Sequence, residues 1–246
     1  MPPLRVRYQT IEFENMDIHV RTLRDNQQYC DADGAAEKLG ISSATWPFFG
    51  LIWDSSLVLA HFMCDFNISG KRILEVGCGI GLSSLLLNSR LADITATDYH
   101  PEAGNFLMEN TKLNHAKIIP FIRTGWENEN VNLGRFDLII GSDLLYERNH
   151  PAILSGFIDQ HVKPACEVLH GKRTYAIVGD GSFQYNIQDL QTIRHHNLPI
   201  TIIVFNNDGY GAIKITQNMV FKREFGTSSK SDLTFCDIEK ISKRNK

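Results

Sequence analysis

Residues 71–90 read KRILEVGCGIGLSSLLLNSR. A short apolar run, Ile73 to Val76, ends in glycine, as a buried parallel strand does. Three glycines follow at alternate positions, Gly77, Gly79 and Gly81. A leucine-rich stretch of helical character then begins. Glycines at a strand-to-helix turn let a ligand approach the backbone where a side chain would block it. Their G-x-G-x-G spacing differs from the G-x-G-x-x-G of dinucleotide folds.

The same rhythm extends outward. DITATD (93–98) reads as a second strand and PEAGNFLMENTKLNH (101–115) as its helix, with Pro101 near the start. KIIPFI (117–122) and FDLIIGSD (136–143) read as strands three and four. PAILSGFIDQHVKPACEVL (151–169) reads as a helix broken near Pro164. TYAIVGD (174–180), NIQDLQTIRHH (186–196) and PITIIVFN (199–206) add strand, helix and strand. This alternation predicts an α/β fold with a doubly wound, mostly parallel sheet, its ligands at the carboxyl ends of the strands. Upstream, RYQTIEFENMDIHVRTLRD (7–25) suggests a hairpin, and residues 55–66 have apolar positions at helical spacing.

Composition narrows the function. A net charge of −3 provides no global field for nucleic acid or membrane. No run approaches the ~18 apolar residues of a membrane span. The N-terminus lacks a signal-peptide core. The five cysteines have no paired spacing and are expected to be reduced thiols of a cytoplasmic protein. His195-His196 read as solvated or as a helix C-cap, the basic tail as solvated, His100 as shaping a turn, and Trp46 as a packing anchor.

Within the strand ends, Asp98 is placed to accept the two hydroxyls of a ribose, or to cap the helix that follows. Glu75 is placed to face an amino-acid portion of a ligand. Asp143 and Tyr146 follow strand four; they read as proton acceptor and channel wall, or as a helix cap and a packing aromatic.

WPFFGLIWDSSLVLA, ILEVGCGIGLSSLLL, ADITATDYHPEA and FDLIIGSDLLYERNHPAIL together resemble the seven-strand, class I S-adenosylmethionine-dependent methyltransferases. Within that class, residues 8–168 are similar to bacterial relatives of the lysine methyltransferase group, some of which carry the label nicotinamide N-methylase. The most telling match is the Asp-x-x-Tyr of Ser142-Asp143-Leu144-Leu145-Tyr146. The resemblance implies a Rossmann-like methyltransferase fold. It implies that Gly77, Gly79 and Gly81 cradle the methionine part of S-adenosylmethionine, with Glu75 beside them, and that Asp98 holds the ribose. Trp53 and Trp126 would border the adenine or the cofactor entrance. Ser142 would contact the cofactor, and Asp143 and Tyr146 would line the methyl-acceptor channel as the catalytic pair. The acceptor would be a protein lysine or a small nitrogenous molecule. One departure is Gly125, where relatives tend to have an acid before the tryptophan.

A second signature lies in VGDGSFQYNIQDLQTIRHHNLPITIIVFNNDGYG (178–211). Strand ends there bring up a carboxylate, Asp180, and amides, Asn206-Asn207. Hard oxygen ligands of this kind suit Mg²⁺ on a diphosphate. The GDG…NN pattern resembles the diphosphate-binding domain of thiamine-diphosphate enzymes of the acetolactate synthase group. By that resemblance Asp180, Asn207 and the Gly209 carbonyl would ligate Mg²⁺. The second domain that activates thiamine in that family is missing, because residues 1–168 look like something else. The chain therefore reads as a chimera: 1–169 methyltransferase-like, 170–246 a thiamine-diphosphate-type strand–helix–strand portion completing the same sheet. The seam falls near Leu169 to Arg173, as a natural fusion, an engineered recombination or an assembly artefact. Three functions are then open: methyltransferase, with cofactor binding favoured over turnover; hybrid scaffold without catalysis; or thiamine-diphosphate and Mg²⁺ binder.

Overall fold

The computed structural model describes residues 4–25, 29–127, 132–145, 149–163, 174–185, 187, 189–195, 200–206, 209–223, 225–228 and 230. The chain divides into two compact units, 1–172 and 173–246.

The first unit opens with the expected hairpin. β1 (Val6–Phe13) and β2 (Met16–Leu23) pair antiparallel across a two-residue turn, in the register Phe13↔Met16 to Val6↔Leu23. A short helix, α1 (Ala35–Lys38), and a 3₁₀ turn at Phe48–Gly50 lead to α2 (Asp54–Asp65). Then come β3 (Arg72–Val76), α3 (Leu82–Ser89), β4 (Asp93–Asp98), α4 (Ala103–Leu113), β5 (Phe121–Arg123), β6 (Leu138–Ile140) and α5 (His150–His161).

The sheet order is β5-β4-β3-β6, all parallel. The chain runs outward from β3 through β4 to β5, then returns to the other side of β3. That reversal makes a topological switch point between β3 and β6, where parallel α/β sheets open a ligand crevice. Alternate residues of β3 face opposite ways. Leu74 and Val76 pack with Leu133, Phe136, Leu154 and Phe157, which brings α5 onto one face. Glu75 meets Ser84 of α3 on the other.

Two strands are shorter than their sequence patterns suggest. β5 begins at Phe121 because Pro120 has no N–H for the ladder; its carbonyl accepts from Ala96 instead. The ladder of β6 spans Leu138 to Ile140 and stops before the Gly141 turn. Helix α5 ends at His161, with Val162 extended (ψ 138°), two residues before Pro164. The residue before proline is barred from helix, so the break arrives early. The rest of that predicted helix lies outside the described residues.

In the second unit, β7 (Thr174–Gly179) and β8 (Ile200–Phe205) pair parallel, in the register Thr174↔Ile200 to Gly179↔Phe205. The expected acidic turn after β7 is instead a helix, α6 (Asp180–Tyr185), whose first turn carries the acid favoured there. α7 (Asp189–His195) falls within the predicted helix, and α8 (Gly211–Phe221) follows β8. Among the described residues the ladders of β7 and β8 join only each other. Completion of one sheet by 170–246 therefore remains a proposal, and the expected seam itself lies outside the described residues.

Candidate functional site

The turn after β3 is built from left-handed glycines. Gly77, Gly79 and Gly81 have φ of +61°, +55° and +80°, a region that side chains rarely tolerate. The turn is stitched by Gly81 N–H to Cys78 C=O (2.8 Å) and Cys78 N–H to Thr97 C=O (2.9 Å). Gly77 is exposed and Gly79 half-buried, so the backbone of the turn is open to a ligand.

Asp98 ends β4 beside this turn. Its Oδ2 accepts the Gly79 N–H (2.8 Å) and its Oδ1 accepts the His100 N–H (2.8 Å). A carboxylate has about four lone-pair sites, so it retains acceptor capacity while the backbone bonds fix its direction. Burial pushes the Asp98 carboxyl above the usual carboxylate range. His100 shapes the turn as expected: its Nδ1 accepts the Glu102 N–H (3.2 Å). The ring is buried and stacked on Phe49 at 3.9 Å, and desolvation lowers its pKa to about 4.

Glu75 is not brought to the open surface. It is 5% exposed, and its Oε2 accepts both the N–H and the hydroxyl of Ser84 in the first turns of α3. Desolvation by burial raises its pKa to about 7. A carboxyl raised from about 4.3 when unfolded costs stability as pH rises, because the unfolded chain releases its proton first. That loss begins near pH 4.3, accumulates up to about pH 7 and amounts to something on the order of 3 kcal/mol. Glu75→Gln keeps an acceptor for Ser84 and removes the titration. Denaturant unfolding at pH 5 and pH 7.5 should show wild type losing stability across that interval relative to the variant.

The tail of β6 closes the other side of the crevice. A Cβ on Gly77 would lie 2.4 Å from Leu144 Cδ2, so the Leu144 side chain packs against one side of Gly77. Asp143, half-buried, sits in the left-handed region at φ +52°, which aspartate tolerates better than most residues. Its Oδ2 accepts the hydroxyl of Ser55, in the first turn of α2. Burial raises the Asp143 carboxyl above its ordinary range. Ser142 is half-buried beside it.

Both predicted tryptophans adjoin this assembly. Trp53 precedes α2 and donates its Nε1–H to Phe48 C=O (3.1 Å); the next carbonyl, of Phe49, lies over Gly79. Trp126 packs edge-on to His150 (5.1 Å), whose Nδ1–H donates to Leu144 C=O (2.7 Å). At Gly125 a Cβ would meet the Tyr99 ring at 3.1 Å, so an acid there would require that ring to give way. Tyr146 lies outside the described residues. Residue types alone did not point to Ser55, Phe49, Ser84 or Leu144, because each acts through a contact distant in sequence.

Asp180 and Gly209 belong to the second unit. They meet through the Gly209 N–H, which donates to the buried Asp180 Oδ2 at 2.9 Å. Asn207 lies outside the described residues. Among the described residues no cluster of three or more His, Cys, Asp or Glu side chains could hold a metal ion. A cleft of about 510 Å³ opens at the amino end of the first unit's strands, lined by Lys71, Arg72, Arg90, Asp93, Asp137 and Lys163. Arg72 and Arg90 there bond backbone carbonyls, and Lys163 pairs with Asp137 at 2.6 Å. That is the end opposite to the one where parallel sheets bind ligands.

The model of the lysine methyltransferase family matches residues 40–184, more than half of the chain. The chain belongs to the lysine methyltransferase family. A second family model matches residues 162–244: the C-terminal thiamine-pyrophosphate-binding domain of thiamine pyrophosphate enzymes. The two matches overlap at 162–184, which contains the expected seam, so the chimera reading fits both. Among this family member's curated relatives is protein N-lysine methyltransferase METTL21A of Danio rerio, 34% identical over 125 residues (46% of this chain, 56% of that protein). Another is a histidine protein methyltransferase 1 homolog of Dictyostelium discoideum, 30% identical over 145 residues (53% and 45%). The chain thus spans about half the length of these relatives. A solved 16S rRNA N2 G1207 methyltransferase of T. thermophilus aligns with a TM-score of 0.48 at 14% identity, over 67% of this chain and 41% of that one. Among the described residues no helix is long and apolar enough to cross a membrane.

Proposed function

We propose that the chain is an S-adenosylmethionine-dependent N-methyltransferase whose acceptor is a protein lysine or a small nitrogenous molecule. The observation that carries this reading is the Asp98–Gly79 bond on an open, left-handed glycine turn, beside the switch point. The donor set fits the cofactor: a carboxylate with lone pairs to spare suits ribose hydroxyls, and a turn without side chains suits a close-lying methionine portion. The activities for which the relatives are named support the methyl-transfer class.

The cofactor would supply an electrophilic methyl group on a sulfonium. Gly77, Gly79 and Gly81 would hold its amino-acid part, Asp98 its ribose, and Trp53 and Trp126 its borders. The chain's own work is alignment and exclusion of water. Asp143 orients the acceptor amine and accepts its proton at the carboxylate; a carboxyl raised by burial is a stronger base at neutral pH than an ordinary one. Ser55 holds that carboxylate in place. Tyr146 would line the channel. The net charge of −3 favours a protein or small molecule over nucleic acid as acceptor. The free thiols of Cys30, Cys64 and Cys78 favour a reducing, cytoplasmic compartment.

Calorimetric titration with S-adenosylhomocysteine tests the cofactor site, with thiamine diphosphate plus Mg²⁺ as the parallel arm. Saturable binding of the first is expected. Binding of the second alone would overturn the proposal and return Asp180 and Asn207 to the centre of the chain's chemistry.

A further inference from the structure

Two asparagines one turn apart, Asn110 on α4 and Asn114 capping its carboxyl end, hold the free edge of the N-terminal hairpin. Asn114 Oδ1 accepts the His19 N–H (2.8 Å), and its Nδ2 donates to His19 C=O (2.6 Å). Asn110 does the same at Arg21: Oδ1 accepts the N–H (2.6 Å) and Nδ2 donates to the C=O (3.2 Å). Each side-chain amide thus stands in for a neighbouring strand, satisfying a donor and an acceptor that β2 would otherwise leave unpaired on that edge.

Asn110 has one further bond. Its Nδ2 also donates to Ile80 C=O at 3.1 Å, and Ile80 lies between Gly79 and Gly81. Asn110 is fully buried. Three residues earlier on the same face, Leu107 lies where a Cβ on Gly81 would fall, 2.3 Å away. The glycine turn is therefore braced from below by α4, and through Asn110 by β2. Left-handed glycines have wide conformational freedom, so an external hydrogen bond to the middle of the turn selects one conformation from many.

We infer that Asn110 is a positioning residue for the cofactor turn, coupling it to the N-terminal hairpin. The inference rests on the reading of that turn as the S-adenosylmethionine site. Asn114 is a built-in control: it makes the same two hairpin bonds, and its remaining amide bond goes to Asn110 C=O within α4 rather than to the turn.

The test compares Asn110→Ala with Asn114→Ala, measuring S-adenosylhomocysteine affinity and the thermal midpoint of each full-length variant. Loss of a buried amide bond that leaves Ile80 C=O without its donor should weaken binding by roughly ten- to a hundredfold in Asn110→Ala. Asn114→Ala should lower the midpoint yet hold affinity within about twofold. Equal affinity losses in both variants, or none in Asn110→Ala, would overturn the inference. Failure of wild type to bind S-adenosylhomocysteine would instead overturn the cofactor reading beneath it. If Asn110→Ala does not fold, amide exchange on wild type decides. Saturating S-adenosylhomocysteine should slow the Arg21 amide more than the His19 amide; equal slowing, or none, rejects the coupling.

Discussion

Gly79→Asp is expected to abolish S-adenosylhomocysteine binding, with an affinity loss of about a hundredfold or more. Two effects add. A Cβ at this position would lie 2.9 Å from the carbonyl oxygen of Phe49, a backbone atom that cannot rotate away. The new carboxylate would also stand beside Asp98, whose Oδ2 depends on the Gly79 N–H. Gly70→Asp separates loss of the site from general strain. Gly70 has a similar φ of +67°, and a Cβ there would meet nothing within 4 Å. It should bear the same backbone cost of about 1 kcal/mol and keep its affinity. If both variants bind normally, the glycine turn is not the cofactor site.

Asp143→Asn should lower the methyl-transfer rate by roughly 10²- to 10⁴-fold while leaving S-adenosylhomocysteine affinity within about twofold. The amide keeps an oxygen for the Ser55 hydroxyl, and asparagine accepts the left-handed backbone at φ +52°. The fold should survive, and the lost capacity is that of taking a proton. Radiolabelled methyl incorporation into polylysine provides the readout, since a lysine amine has a proton to lose; transfer to nicotinamide, whose ring nitrogen carries none, should be much less affected by the substitution. In wild type, activity should rise with pH as the Asp143 carboxyl ionises, at a pH above the ordinary carboxylate range because burial raises it. The variant should lack that limb. An unchanged rate in Asp143→Asn would remove Asp143 from proton transfer and leave it as a structural partner of Ser55.

Much of the architecture is legible in the order of residues. The hairpin at 7–25, the strands at 73–76 and 93–98 and the helices that follow them have unambiguous periods, and their boundaries agree with the structure to within a few residues. Elements with conflicting signals are less legible. Pro120 shortens a strand whose apolar run continues through it, and the helix at Asp180 is hidden by glycine on both sides.

The sequence by itself determined the glycine turn, the acid at the end of the next strand and the presence of two family signatures in one chain. Those features are local, since each depends on residue type and short-range spacing. Only the tertiary structure decided what the groups do with one another. It turned Glu75 inward to Ser84, set Ser55 against Asp143, laid the Phe49 carbonyl over Gly79 and tied Ile80 through Asn110 to Arg21. Ser55 and Asp143 are 88 positions apart, and Asn110 and Arg21 are 89 apart. No local period encodes contacts of that separation. They exist because a parallel sheet gathers the carboxyl ends of distant strands at one edge, and burial there favours polar groups that find a partner.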